Sequence, residues 1–120
     1  MNAFDMARTA YSPATSAVRT PQSIEYAAFA RVTRDLKGAE DHAALVRPLH
    51  DNRRLWTVLA SSVADGDNAL PTTLRAQIFY LAEFTVHYTR RILQDKADPA
   101  VLIDINAAVM RGLREQGQAT

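Results

Sequence analysis

His42, His50 and His87 are the side chains of this 120-residue chain best suited to ligate a metal or shuttle a proton near neutral pH, and their spacing supports neither task. Helical zinc and di-iron sites use patterns such as HExxH or Glu-x-x-His, and none of the three histidines falls in one. Ser61 and Ser62 lack the strand-to-helix elbow that exposes a nucleophile, and no glycine-rich loop is present to cradle a phosphate. Glu25 and Glu83 are single carboxylates rather than an acid–base pair. Asp65-Gly66-Asp67-Asn68 starts like a calcium loop but lacks the twelve-residue ligand pattern and its terminal glutamate. There is no cysteine, so disulfides, thiolate metal sites and cysteine nucleophiles are ruled out. The sequence therefore predicts no catalytic residue, no cofactor and no metal, in a protein that is not an enzyme.

Charge gives little more. Fourteen basic residues stand against thirteen acidic ones, a formal net charge of +1, which is not the footprint of a dedicated nucleic-acid binder. The pairs Arg53-Arg54 and Arg90-Arg91 would make a local patch if their helices were neighbours, but arginines late in a helix also complement its dipole. No apolar run approaches the roughly 20 residues that span a bilayer, and residues 1–20 lack the continuous apolar segment of a signal peptide. A soluble, cytoplasmic protein without a membrane partner is expected.

The residues that do recur at meaningful spacing are apolar, and they build helices. Over 74–93, Leu74, Ile78, Leu81, Thr85, Tyr88 and Ile92 form one stripe, widened by Phe79, Ala82, Val86 and Leu93 on one side and Phe84 on the other. An arc wider than half the cylinder predicts neighbours on at least two sides, hence a central helix near residues 71–95. Thr20-Pro21 is a cap followed by a first-turn proline, and Ile24, Ala28, Val32 and Leu36 step by four to Gly38, which is expected to end that helix in a left-handed cap. Asp41 starts the next segment, and Pro48 predicts a break with a second start. A seam of Leu45, Leu49, Asn52, Trp56, Leu59 and Val63 nevertheless runs through the proline, with Asn52 as a core amide and Trp56 as an anchor whose N–H needs an acceptor.

The last helix is expected over Pro99–Gln116, capped by Asp98 and ended by Gly117, with Leu102, Ile105, Asn106, Val109 and Leu113 inward. Ile103 and Met110 lie round from that face and meet another helix or a groove. Near the N-terminus, Phe4, Ala7 and Tyr11 have i, i+3, i+7 spacing, so residues 1–19 are expected to be a short helix or partly disordered. Residues 20–117 are then one domain, all-α, a small bundle of about four to five helices.

Four segments, RTPQSIEYAAFARVTRDL at 19–36, NRRLW at 52–56, NALPTTLRAQIFYLAEF at 68–84 and INAAVMRGL at 105–113, together resemble the flagellar biosynthesis regulator FlaF family of alphaproteobacteria. The resemblance implies a cytoplasmic, non-enzymatic protein of flagellum assembly that binds flagellin, assists its export, and regulates flagellin synthesis post-transcriptionally together with FlbT. It brings no residue-level binding motif. A mechanism consistent with it lays an amphipathic helix of unassembled flagellin in an apolar groove, hiding its anchors until export. Tyr80 and Phe84 on the 71–95 helix, with Ile103 and Met110 on the last, are the candidate partner-binding residues, being apolar or aromatic and off the best core stripes.

Two other readings stay open. One is direct binding of flagellin mRNA through Arg53, Arg54, Arg90 and Arg91 with exposed tyrosines, which would weaken steeply with salt. The other is a homo-oligomeric adaptor that uses the seam or the Ile103 and Met110 side, since sequence does not separate an internal seam from an intermolecular one.

Overall fold

The computed structural model describes residues 21–119, with side chains for residues 26–114, and is helical: α1 (Pro21–Gly38), α2 (His42–Ala64), α3 (Thr72–Asp95) and α4 (Ala100–Ala119). The Thr20 cap and the Phe4, Ala7 and Tyr11 segment lie outside the described residues.

The starts of α2 and α4 follow capping residues, whereas α3 starts after Pro71 without a side-chain cap. Asp41 is extended (φ −148°, ψ 177°), and its Oδ1 accepts from the Ala44 N–H at 2.8 Å. Asp98 Oδ1 accepts from the Ala100 N–H at 2.9 Å, satisfying a donor that the first turn of α4 leaves free. Between α2 and α3, Asp65 Oδ1 accepts from the Asp67 N–H and Asn68 Oδ1 from the Leu70 N–H, both at 2.9 Å, while the Asn68 amide donates to the Ser62 carbonyl at 3.0 Å. These short side chains offer the backbone partners that a continued helix would have offered.

Three expected boundaries differ. The break at Pro48 is absent, and α2 is one helix containing that proline. The proline removes the bond to the Ala44 carbonyl and crowds it, at a cost of ~3 kcal/mol. Ala44 is exposed, so water serves that carbonyl, and buried Leu45 and Leu49 on either side hold the helix in line. As a result, His42 and His50 share one helix. The left-handed cap falls at Lys96 (φ 57°, ψ 36°), not at Gly38, and no described glycine has positive φ. The Lys96 N–H closes α3 by donating to the Ile92 carbonyl at 3.1 Å, which brings the chain round toward Asp98. Gly117 does not stop α4, which continues to Ala119.

The helices alternate in direction. Close backbone approach is most extensive for α2 with α3, α1 with α4 and α1 with α2, so their order around the bundle is α3, α2, α1, α4, and among the described residues α3 and α4 approach each other less closely, leaving that side open. The helix with two close neighbours on the α3 side is therefore α2, whereas α3 borders the opening. Its stripe is turned accordingly, with Ile78, Ala82, Thr85, Thr89 and Ile92 buried and Leu74, Leu81 and Tyr88 only partly so.

Two apolar clusters fill the bundle. One holds Phe29, Trp56, Leu59, Val63, Ile78, Ala82 and Leu113; the other holds Val32, Leu36, Leu45, Leu49, Ile92 and Leu102. Phe29 and Trp56 meet edge to face, with centroids 5.3 Å apart. Burying an indole removes ~150–250 Å² from water, worth roughly 4–6 kcal/mol before chain entropy is counted.

Each helix passes from one cluster to the other through a buried polar residue: Thr33, Asn52, the pair Thr85 and Thr89, and Asn106. Asn106 joins three helices. Its Oδ1 accepts from Trp56 Nε1 at 3.0 Å, and its Nδ2 donates to Asn52 Oδ1 at 2.8 Å and to Thr33 Oγ1 at 3.1 Å. Thr89 Oγ1 donates to the Thr85 carbonyl. Among the described residues, Asn52 Nδ2 and Thr85 Oγ1 are the buried side-chain atoms without a partner.

Asn106→Ala strands the indole N–H, Thr33 and Asn52 together, and urea denaturation should show a loss of roughly 3–5 kcal/mol. Thr33→Val keeps the shape and removes a single acceptor, so about 1–2 kcal/mol is expected from the same measurement. Lys96→Gly relieves a left-handed side chain and should raise stability by about 0.5–1 kcal/mol in thermal melts.

Candidate functional site

Arg75 sets the position of the first turns of α3. Its Nε donates to the Val63 carbonyl at 2.8 Å and a terminal guanidinium nitrogen to the Asp65 carbonyl at 2.9 Å. These carbonyls belong to the end of α2, where backbone acceptors have no partner within the helix, so one planar side chain caps α2 and pins α3 against it. With Arg75 turned toward α2, Leu74, Ile78 and Leu81 form the α3 wall of the bundle's open side.

That wall faces Ala108, Val109, Gly112 and Leu113 of α4 across a cleft of about 220 Å³, also lined by Leu70 and with Gln77 as its one amide. Small-molecule sites usually occupy roughly 300–1,000 Å³ and carry convergent polar groups, and this cleft has neither property. Its size and lining suit aliphatic or aromatic side chains from a helix laid along it. Gly112 is a helix-interior glycine at the α4 wall, and a Cβ placed there meets nothing within 4 Å. With Ala108 one turn earlier, it keeps that wall flat. The apolar surface continues round α3 past Gln77 and Leu81 to Thr72, Thr73, Ala76 and Tyr80.

The four residues singled out from sequence are not gathered at one place. Tyr80 is 67% exposed and stands beside the cleft, on the adjoining face. Phe84 is half-buried and stacks on Tyr88, with centroids 5.6 Å apart. Ile103 is half-buried against the cluster of Val32, Leu36 and Leu49, and Met110 against the cluster of Phe29 and Trp56. The cleft's own residues, Leu74, Leu81, Val109 and Gly112, were read in the sequence as core or left unremarked. Gly112 was the signal available, a residue costing about 1 kcal/mol within a strongly periodic helix.

A second groove lies between α2 and α3. Thr57, Ala60, Phe79, Ala82 and Val86 form its floor, and Glu83, His87 and Arg90 are at its edge. Phe79 is 43% exposed there. Arg53, Arg54, Arg90 and Arg91 are all exposed, and Arg91 lies 5.8 Å from the Tyr88 ring centroid. Among the described residues, no group of three or more His, Cys, Asp or Glu side chains is placed to hold a metal ion, and no helix is long and apolar enough to cross a membrane.

Because the space beyond Gly112 is open, Gly112→Ala should displace nothing while removing the backbone freedom of glycine. Thermal or urea denaturation should show about 1 kcal/mol of added stability, and a loss would mean that the α4 wall is closed.

No curated protein and no solved structure matches the chain. The family model of flagellar protein FlaF matches residues 7–113, which takes in all four segments of the resemblance and both walls of the cleft. The chain belongs to the flagellar protein FlaF family.

Proposed function

We propose that this flagellar protein is a flagellin-binding chaperone whose α3–α4 cleft takes an amphipathic helix of unassembled flagellin. The observation that carries the reading is an apolar cleft walled by side chains of both α3 and α4. Such a cleft binds by burying side chains at i, i+3, i+4 and i+7, the faces through which an unassembled helical protein self-associates. Tyr80, on the adjoining face, supplies an aromatic contact at the rim, as partly exposed tyrosines do in many interfaces. The protein works by occupancy, in the cytoplasm where flagellin is made, without catalysis or cofactor. A regulatory role follows if the flagellin-bound and free forms differ toward FlbT, a partnership that rests on the family resemblance.

Calorimetric titration of the full chain with monomeric flagellin tests this. Saturable binding that changes little between low and high salt is expected, because apolar burial releases few counterions. Gly112→Phe, which fills the cleft from a position with free space, should weaken binding about tenfold or more with unchanged helicity. Unchanged affinity in that variant would move the site elsewhere, and a folded protein that binds no flagellin would end the reading. Affinity that collapses with salt would favour contacts through the exposed arginines, and with them the RNA-binding alternative.

A further inference from the structure

Residues 1–20 are attached to the bundle at the end where the cleft lies. Phe29 shares a cluster with Leu113, Thr33 is bonded to Asn106, and Leu36 shares the other cluster with Leu102, so α1 runs antiparallel to α4. Followed backwards from Phe29, α1 reaches Pro21 beside the turns of α4 that lie beyond Leu113. Leu113 is also a wall residue of the cleft, and Leu70 and Leu74 stand at the same end of α3. The family match begins at residue 7, ahead of α1, so most of this segment belongs to the family pattern.

The segment matches the cleft in length and chemistry. Phe4, Ala7 and Tyr11 fall on one face of a helix, with Arg8 at its edge and Asp5 and Thr9 elsewhere. From Phe4 to Tyr11 such a helix rises ~10 Å, the same rise as from Leu74 to Leu81 along the α3 wall. The stretch between Tyr11 and Pro21 spans up to ~30 Å when extended, enough to turn back from the end of α1 to the cleft. A small residue between two aromatics suits a cleft whose α4 wall is Ala108 and Gly112, and the Tyr11 hydroxyl has Gln77 available as a partner.

We propose that, in the free protein, residues 3–11 of this same chain dock as a helix in the α3–α4 cleft, with Phe4, Ala7 and Tyr11 facing its walls. The docking does not depend on flagellin. If the cleft is also the flagellin site, which rests on the reading above, the segment is a built-in competitor. It covers the apolar walls until a helix with more anchors replaces it, and it keeps the empty chaperone from associating with itself.

The absence of cysteine makes a direct test simple, since Thr9→Cys, off the apolar face, gives one attachment point for a nitroxide in the full chain. In ¹⁵N-labelled protein without flagellin, the amides of residues 74–81 and 108–113 should be those most broadened by the label. Adding Phe4→Asp should abolish that broadening while the rest of the spectrum stays unchanged. No preferential broadening of these amides, or broadening that survives Phe4→Asp, would overturn the proposal. A mixture of labelled ¹⁴N protein with unlabelled ¹⁵N protein should show none of the effect, and broadening of the same strength there would assign the cleft to a second copy instead. Every reading is taken without flagellin, so failure here leaves the chaperone reading standing, and failure of flagellin to bind leaves this one standing.

Discussion

The amide of Asn106 is the point on which this bundle depends. Its oxygen holds the only tryptophan, and its nitrogen holds one residue on α1 and another on α2, so three helices are tied to one buried side chain. Apolar contacts tolerate sliding, because a leucine moved along a helix finds another leucine. A buried amide does not, because a shift of one residue in any of the three helices leaves donors and acceptors facing hydrocarbon. The polar layer thus contributes less to net stability than the aromatic and aliphatic clusters on either side of it, and more to selecting a single register.

That arrangement explains what was readable in the chain and what was not. Asp41 and Asp98 act within a few residues of themselves, so their caps could be read directly, and the Leu45 to Val63 seam could be read because periodicity is a property of one helix. Trp56 was recognisable as an anchor in need of an acceptor, but the acceptor is 50 residues away and no local pattern points to it. The continuity of α2 through Pro48 was hidden for a similar reason, since the local rule was outweighed by burial on both sides of the proline. Lys96 occupies a left-handed position that glycine or asparagine would have advertised. The cleft was the least legible feature of all. It is a space between α3 and α4, and the residues lining it have the composition of an ordinary core stripe.

The wide apolar arc of α3 is accounted for by the same geometry. It indicates two neighbours, and the described bundle supplies one at close approach, so part of the arc faces an opening. Arg75 is what holds it there: by capping α2 with a side chain from α3, it fixes the first turns of α3 and with them one wall of the cleft. Flagellar membership and an apolar cleft are two independent observations on this chain.

The polar layer and the cleft lie at different heights along the same helices. On α3, Leu74 and Leu81 at the cleft precede Thr85 and Thr89 in the layer; on α4, Asn106 in the layer precedes Ala108 and Gly112 at the cleft. Changes at the cleft therefore leave the register-setting bonds untouched, and changes in the layer destabilise the protein whatever the cleft contains. Such a division lets the lining of the cleft drift while the scaffold is inherited intact, so relatives of this chain can be expected to diverge first along one edge of two helices.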